Sequence, residues 1–169
     1  MKKWIAMTML ALFSVAAFAQ NNTKETAPAA KEIKGTVFEK GTLKELLAKA
    51  AKEKKYLFVD VYATWCGPCK AAMRASEPVK KDFVGKDIVF LYLAGENSPK
   101  GTWEQMIPDI KGEHYRMTDA QWTYICNKFG VQGVPSYMII SKDGTPTHFQ
   151  VGFMGPDKMK EMLMKELDK

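Results

Sequence analysis

Two cysteines separated by two residues form the group most able to do chemistry, in the run Cys66-Gly67-Pro68-Cys69. A pair this close cannot connect distant segments, and a disulfide across so small a loop adds little stability through chain entropy. A thiolate, by contrast, attacks disulfides, and a second thiol one helical turn away can resolve the mixed disulfide within the same molecule. The spacing therefore predicts a redox pair that cycles between dithiol and disulfide.

The sequence around the pair predicts how one thiol is activated. Tyr56 to Ala63 is a near-continuous apolar run, typical of a strand buried on both faces, and a helical stretch runs from Cys69 to about Ser76. Cys66 then lies between strand and helix, where unpaired backbone N–H groups and the helix dipole stabilise a thiolate. Gly67 permits the tight turn, and Pro68 suits the first helical turn. We expect Cys66 to be the exposed nucleophile and its partner to be shielded.

The surrounding residues disfavour other uses of a Cys-x-x-Cys pair. A structural zinc site needs a second pair of ligands at suitable spacing, and neither His114 nor His148 lies in such a motif. Covalent haem attachment needs a histidine directly after Cys69, where Lys70 is found. We therefore expect neither a metal nor a cofactor.

The N-terminal residues predict export. The basic start Met1-Lys2-Lys3 precedes the almost uncharged run Trp4 to Phe18, and Ala17-Phe18-Ala19 provides the small residues that signal peptidase accepts. A membrane anchor is the alternative, although the apolar run is shorter than the roughly 20 residues that span a bilayer. We predict a signal peptide over 1–19, a flexible leader over 20–35 and one domain over 36–169, soluble in the periplasm or otherwise outside the cytoplasm.

Composition limits the remaining functions. The 25 basic and 19 acidic residues are interspersed, without a basic cluster that contains aromatics. This pattern favours solvated helix faces over a nucleic-acid interface. Three cysteines are too few for a disulfide framework, and the third, Cys126, shares a predicted helix with Trp122, Ile125 and Phe129. We expect Cys126 to be a buried, inert side chain.

Hydrophobic periodicity and turn residues predict a single domain of alternating helices and strands. Beyond the strand over 56–63 and the helix over 69–76, which ends or restarts at Pro78, we predict a helix over 43–53, a strand over 88–93, an insertion over 95–117 with one short helix, a helix over 118–129, strands over 136–141 and 147–151, and a helix over 156–167. Within the insertion, we interpret His114-Tyr115-Arg116 as loop packing, with a partner-docking surface as the alternative.

With these elements in order, the chain resembles the thioredoxin superfamily. Val59 to Lys70 matches the family's active-site strand and motif, Val134-Pro135-Ser136 matches the loop with its cis-proline, and Lys142-Asp143-Gly144 matches the hairpin beyond. The export signal and the insertion are similar to the TlpA-like extracytoplasmic branch. The resemblance implies an α/β fold, a thioredoxin-like three-layer α/β/α sandwich with a mixed central sheet and an insertion before the third helix.

The resemblance also implies catalytic roles. Cys66 corresponds to the nucleophile, Cys69 to the resolving cysteine, and Asp60 to the buried acid that handles the proton of Cys69. An Asp60 side chain turned toward solvent at the strand end is the alternative. The family often has a lysine near this acid on the next central strand, but Ile88 to Leu93 contains none.

A second group of residues is expected to contact substrate. Trp65, Gly67 and Pro68 surround the cysteines, and Trp65 resembles the residue packed beside the disulfide. Pro135 resembles the cis-proline that faces the disulfide, and Val134 the residue whose backbone pairs with an extended substrate segment. These five residues form the expected substrate-binding surface.

The resemblance implies exchange of the Cys66–Cys69 dithiol or disulfide with protein substrates, and Gly-Pro between the cysteines favours a reductase over an oxidase. We expect a monomer that is recharged by an unidentified membrane or envelope redox partner and does not bind nucleic acid. A thiol-based metal chaperone or a redox-sensing binding module on the same fold is the alternative. A peroxidase is disfavoured because the pattern Pro-x-x-x-Thr-x-x-Cys is absent before Cys66.

Overall fold

The computed structural model describes residues 43–169, in which helices and strands largely alternate. The predicted signal peptide, the leader and residues 36–42 of the domain lie outside this range. The helices are α1 (Leu43–Lys52), α2 (Gly67–Lys81), α3 (Lys100–Met106), α4 (Asp119–Phe129) and α5 (Pro156–Leu167), and the strands are β1 (Tyr56–Tyr62), β2 (Ile88–Ala94), β3 (Glu113–Arg116), β4 (Ser136–Ile140) and β5 (Pro146–Val151). A short 3-10 turn, Ile107–Asp109, follows α3.

The sheet has the strand order β3-β2-β1-β4-β5 and is mixed. β1 runs parallel to β2, and β2 runs parallel to β3. β4 is antiparallel to both β1 and β5. The central strand β1 is buried along its whole length, as its apolar run predicts. Its residue Asp60 pairs with Tyr92 on one side and Tyr137 on the other.

Side chains alternate along β1 and so contribute to two separate cores. Leu57, Val59 and Val61 pack on the face covered by α1 and α4, together with Ala50 and Ile125. The opposite face, which carries Phe58, Asp60 and Tyr62, is covered by α2 and α5, with α3 beside the cysteine end. The predicted three-layer sandwich is confirmed.

Helix α2 is longer than predicted at both ends. It begins at Gly67 and continues past Pro78 to Lys81, whereas we expected a helix from Cys69 that ends or restarts at Pro78. A proline inside a helix removes one hydrogen-bond donor and leaves the carbonyl four residues earlier without its partner. Here Arg74 and Pro78 are both exposed, so this carbonyl lies on the solvent side of the helix and the helix continues.

The insertion contains an edge strand that the sequence analysis missed. His114, Tyr115 and Arg116 lie in β3, and the first two are buried, so interpreting them as loop residues was wrong. Burial also excludes these two side chains from a docking surface. Gly112 leads into the strand with φ +143, and a Cβ there would lie 2.6 Å from a ring carbon of Tyr92. Only glycine allows the chain to pass this close to β2.

Candidate functional site

The cysteine pair forms a disulfide at the first turn of α2. Cys66 is the N-cap residue, and its Sγ accepts a hydrogen bond from the backbone N–H of Cys69 over 3.1 Å. Helix N-termini leave such N–H groups without partners inside the helix, so a sulfur at the N-cap receives one directly. The geometry expected from the sequence, with Cys66 at the junction of strand and helix, is confirmed.

Both cysteines are buried, so the expectation that Cys66 is exposed was wrong. Cys69 is fully buried, and Cys66 is only 4 % exposed. Cys66 is still the more accessible of the two, but a client must reach a nearly covered sulfur. Trp65, expected beside the disulfide, is 63 % exposed and lies in the turn between β1 and α2.

A second loop, which leads into β4 beside β1, lies against Cys66. The Val134–Pro135 peptide bond is cis, as the family resemblance implied. The carbonyl oxygen of Val134 lies 3.7 Å from Cys66 Sγ. Pro135 is buried, Val134 is half-buried, and Gly67 and Pro68 are exposed at the start of α2. The structure therefore brings the sequence-predicted residues together around one sulfur.

Asp60 lies inside the protein beneath α2. It is buried, and its Oδ1 has no hydrogen-bond partner among the described residues, so the alternative of a solvent-facing side chain is wrong. Burial raises the pKa of Asp60 from 3.8 to about 8, and the positive charge of Lys80 acts in the opposite direction. Asp60 shares its face of β1 with Tyr62, which packs in the same cluster as Cys69.

A buried cation near this acid comes from α2, not from a strand. Lys80 is 5 % exposed, although the interspersed charges of the chain predicted that its lysines lie on solvated helix faces. A signal for its burial was available: Cys69, Met73, Ser76 and Lys80 follow at helical spacing, and all four are buried. The family's strand lysine is thus missing from β2, while a helix lysine lies over the same strand.

His114 completes the polar cluster beneath α2. Its Nε2 lies 2.8 Å from the carbonyl oxygen of Ile110, and its ring stacks on Tyr92 at 5.0 Å between centroids. Burial lowers the pKa of His114 to about 4, an effect to which the positive charge of Lys80 also contributes. The imidazole is therefore neutral at physiological pH, with its proton on the nitrogen that faces the carbonyl.

The third cysteine takes no part in this arrangement. Cys126 is a free thiol on α4, the helix on the opposite face of the sheet from α2. It is half-buried, so the expectation of a fully buried side chain was wrong. Burial raises the pKa of its thiol, which favours the less reactive protonated form. Within residues 43–169, no group of three or more histidine, cysteine or acidic side chains is placed to hold a metal ion.

Comparison with known proteins identifies the fold that the site belongs to. A model of the thioredoxin-like domain matches residues 43–166. The chain belongs to this family. A thioredoxin from Staphylococcus haemolyticus is 29% identical over 109 residues, which cover 64% of this chain and 80% of that protein.

Solved structures of the thioredoxin-like family have the same fold. A thiol:disulfide interchange protein from Chlorobium tepidum aligns with a TM-score of 0.59 and 21% identity, covering 70% of this chain and 84% of that one. An exposed lipoprotein thioredoxin from Streptococcus pneumoniae aligns with a TM-score of 0.56 and 21% identity, covering 70% and 89%. Family membership and the disulfide at the helix start make this chain a thioredoxin-fold thiol–disulfide oxidoreductase.

Proposed function

We propose that the chain is an exported protein-disulfide reductase in which Cys66 attacks and Cys69 resolves. The observation that carries this proposal is the hydrogen bond from the Cys69 amide to Cys66 Sγ at the start of α2. A thiolate at that position is stabilised by the amide and by the helix dipole. Cys69 lies inside the first turn of the helix, not at the N-cap, and it is fully buried.

In the first step, Cys66 forms a mixed disulfide with the client. The Cys66 thiolate attacks one sulfur of a client disulfide, a new disulfide forms between Cys66 and the client, and the client's other sulfur leaves as a thiolate. The Val134 carbonyl, 3.7 Å from Cys66 Sγ, is placed to accept a hydrogen bond from an extended client backbone. The exposed Trp65, Gly67 and Pro68 border the same sulfur.

The second step releases the client. Asp60 as a carboxylate takes the proton of the Cys69 thiol, and the Cys69 thiolate then attacks Cys66 Sγ. The bond between Cys66 and the client breaks, the client leaves as a second thiolate, and the Cys66–Cys69 disulfide of the structure results. Two electrons have moved from the dithiol to the client. A dithiol donor of the cell envelope must then reduce the pair again.

One observation supports the location of the reaction, and another supports its direction. One relative of the same fold is an exposed lipoprotein thioredoxin, which favours an extracytoplasmic site of action for this chain as well. Among residues 43–169, no helix is long and apolar enough to cross a membrane. For direction, the Gly-Pro dipeptide between the cysteines is similar to that of reducing thioredoxins.

A trapping experiment tests the roles of the two cysteines. Cys69→Ser leaves Cys66 able to attack but prevents resolution. When this variant is incubated with cell-envelope extracts, mixed disulfides with clients should accumulate, and reductant should release the clients. Cys66→Ser should trap nothing, and Cys126→Ser, which keeps the pair, should behave like the unmodified protein. Trapping by Cys66→Ser instead would reverse the roles. If neither variant traps clients and copper or zinc co-purifies in a 1:1 ratio, the metal-chaperone alternative is correct.

The reduction potential of the pair, measured against glutathione, tests the direction. We expect a value near about −270 mV, the potential of a reducing thioredoxin, and not one near about −120 mV, that of a strong oxidant. The matching activity is the rate of insulin reduction, followed by turbidity with a chemical dithiol as electron donor. An oxidising potential with slow insulin reduction would show that the chain works as an oxidase.

A further inference from the structure

Lys80 is a buried lysine to which the two steps above assign no role. Lysine side chains are almost never fully buried unless they are paired, and an ammonium in a protein interior is costly without such partners. Lys80 nevertheless lies on the buried side of α2, and burial lowers its pKa. A feature this costly is expected to serve either stability or chemistry.

Its ammonium is held in one position by three partners. Lys80 Nζ lies 2.7 Å from Glu77 Oε2, one turn earlier on α2. It donates hydrogen bonds of 3.0 Å to the Tyr92 hydroxyl and of 3.0 Å to the backbone carbonyl of Lys111. An ammonium has three N–H donors, so these partners use all of them. Nζ also lies 5.2 Å from the centre of the Tyr92 ring.

Tyr92 connects this ammonium to the catalytic acid. Tyr92 and Asp60 are paired residues of the adjacent parallel strands β2 and β1, so their side chains leave the same face of the sheet about 5 Å apart. The cation is therefore anchored to the immediate neighbour of Asp60. The two charges interact: Lys80 lowers the pKa of Asp60, and Asp60 raises that of Lys80, each against the larger effect of burial.

Among the described residues packed around Asp60, the tyrosines and His114 carry no positive charge that could replace Lys80. Tyr62, Tyr92 and Tyr137 have their pKa values raised, chiefly by burial, and remain neutral. His114, stacked on Tyr92, is neutral above about pH 4. Glu77 and the redox cysteines, Cys66 and Cys69, also lie near the cluster. The ammonium of Lys111 lies 3.6 Å from Glu77 and pairs with that carboxylate.

We propose that Lys80 is a positioning residue for the resolving step, whose fixed ammonium stabilises the carboxylate form of Asp60 that accepts the proton of Cys69. The inference rests on the proposed function and names a residue that contacts neither client nor sulfur. The proton moves from Cys69 Sγ to Asp60, the disulfide forms and the client thiolate leaves as described above. Lys80 neither gives nor takes a proton in this step, and Glu77 and Tyr92 hold it in place.

The pH dependence of the resolving step tests this role. Reduced protein carrying Cys126→Ser is mixed with dithiobis-nitrobenzoate in a stopped-flow instrument between pH 5 and 10. The first equivalent of released thionitrobenzoate reports attack by Cys66, and the second reports attack by Cys69. Because a neighbouring positive charge lowers a carboxylate pKa by about one unit or more, Lys80→Met should move the midpoint of the second phase up by about one pH unit. The first phase should keep its pH profile.

Matched variants separate this effect from a structural one. Lys81→Met, at the exposed neighbouring position of α2, should leave the midpoint unchanged, and Lys80→Arg should restore it toward the original value. In an Asp60→Asn background, Lys80→Met should produce no further shift. If Lys80→Met does not fold, Lys80→Gln keeps a hydrogen-bond donor without the charge and should show the same upward shift.

Three results would overturn the inference. They are an unchanged midpoint in folded Lys80→Met or Lys80→Gln, an equal shift in Lys81→Met, and a shift that persists without Asp60. Each leaves the proposed function intact if the second phase occurs in the unmodified protein. If the unmodified protein releases no second equivalent, the proposed function and the inference both fail.

Discussion

At the scale of single residues, Asp60 makes the stability of the protein depend on pH. Its carboxyl group has a pKa of about 8 in the folded protein, compared with 3.8 for the free group, because it is buried. Between these two values the unfolded chain has lost the proton while the folded protein keeps it. The stability that this group contributes is therefore complete below about pH 4 and is lost as the pH rises to about 8.

Asp60→Asn should remove this pH dependence. We expect the variant to become progressively more stable than the unmodified protein between pH 4 and pH 8, and to differ little at pH 4. The free energy of unfolding from urea titrations at several pH values measures the effect. Asp87→Asn, at an exposed position, is the control and should show no such trend. A constant difference across the pH range would show that Asp60 is not protonated in the folded protein.

The same variant should also lose activity. A positioned proton acceptor contributes about 10²–10⁴-fold to a rate, and an amide cannot replace the carboxylate in accepting the Cys69 proton. Asp60→Asn should therefore slow release of the second thionitrobenzoate equivalent by this order near neutral pH, with the first equivalent unaffected. An unchanged second phase would leave Asp60 with a structural role alone.

Cys126 should matter for stability and not for turnover. It is half-buried on the face of the sheet opposite α2. Cys126→Ser replaces a half-buried thiol with a more polar hydroxyl on the helix that carries the buried Ile125, and it should cost about 1 kcal/mol in the free energy of unfolding. Insulin reduction should remain within about twofold, and Cys126→Ala, which adds no polar group, should match it. Loss of most turnover in a folded variant would contradict the assignment.

The residues of the site differ in how far they could be predicted from the sequence. Cys66, Cys69 and Asp60 lie within one contiguous match, and Pro135 lies in a second one, so a resemblance was sufficient. Lys80 lies in no motif, and its charge suggested a solvated position. Its helical spacing from Cys69 was the better guide, because position on a helix, and not residue type, decides which face is buried.

At the scale of elements, the insertion depends on one backbone position. Gly112 passes so close to β2 that an added Cβ would lie 2.7 Å from the Phe90 carbonyl oxygen as well as against the Tyr92 ring. Backbone cannot move aside as a flexible side chain can. The entrance of β3 is therefore fixed, and with it the position of His114 against Tyr92.

Gly112→Ala should accordingly destabilise the protein. We expect a loss of about 2 kcal/mol or more, since the substitution combines an unfavourable φ with overpacking. Gly101→Ala is the matched control within the same insertion: it lies in α3 with no atom within 4 Å of the added Cβ and should not lower stability. Thermal unfolding followed by circular dichroism compares the two. Equal effects would mean that β3 can shift away from β2.

Strand β3 could not be predicted because it has few of the usual signals. It has four residues, and Glu113, His114 and Arg116 are polar or charged, so no apolar run or alternation marks it. Its stability comes from pairing with β2 and from the contacts of His114 and Tyr115. By contrast, α4 was predicted within one residue because Thr118 caps its start and Gly130, with φ 67, ends it.

At the scale of the whole molecule, the sandwich was predictable because each layer has a distinct pattern. Strand β1 is continuously apolar, as a strand covered on both faces must be. The Asp-Gly turn at 143–144 joins β4 to β5 as predicted. The mixed character of the sheet was indicated only by the family resemblance, since local sequence patterns do not determine which distant strands pair.

The export prediction concerns residues outside the described part of the chain. We expect protein recovered from the cell envelope to begin at Gln20, because small residues occupy positions 17 and 19 before the predicted cut. N-terminal sequencing measures this directly, and Ala19→Lys, which blocks cleavage by signal peptidase, is the control. Envelope protein that still begins at Met1 would remove the basis for the predicted cleavage.

The distance along the chain between the two halves of the site has a consequence for folding. Val134 lies 68 residues after Cys66, and it reaches the sulfur only once β4 has paired with β1. Long-range pairings of this kind close large loops and tend to form late. A chain that has not yet paired β4 with β1 therefore presents an open Cys66 to the thiols and disulfides around it. Selectivity for clients is acquired at the end of folding, so slowly folding variants should accumulate adducts that the native protein does not form.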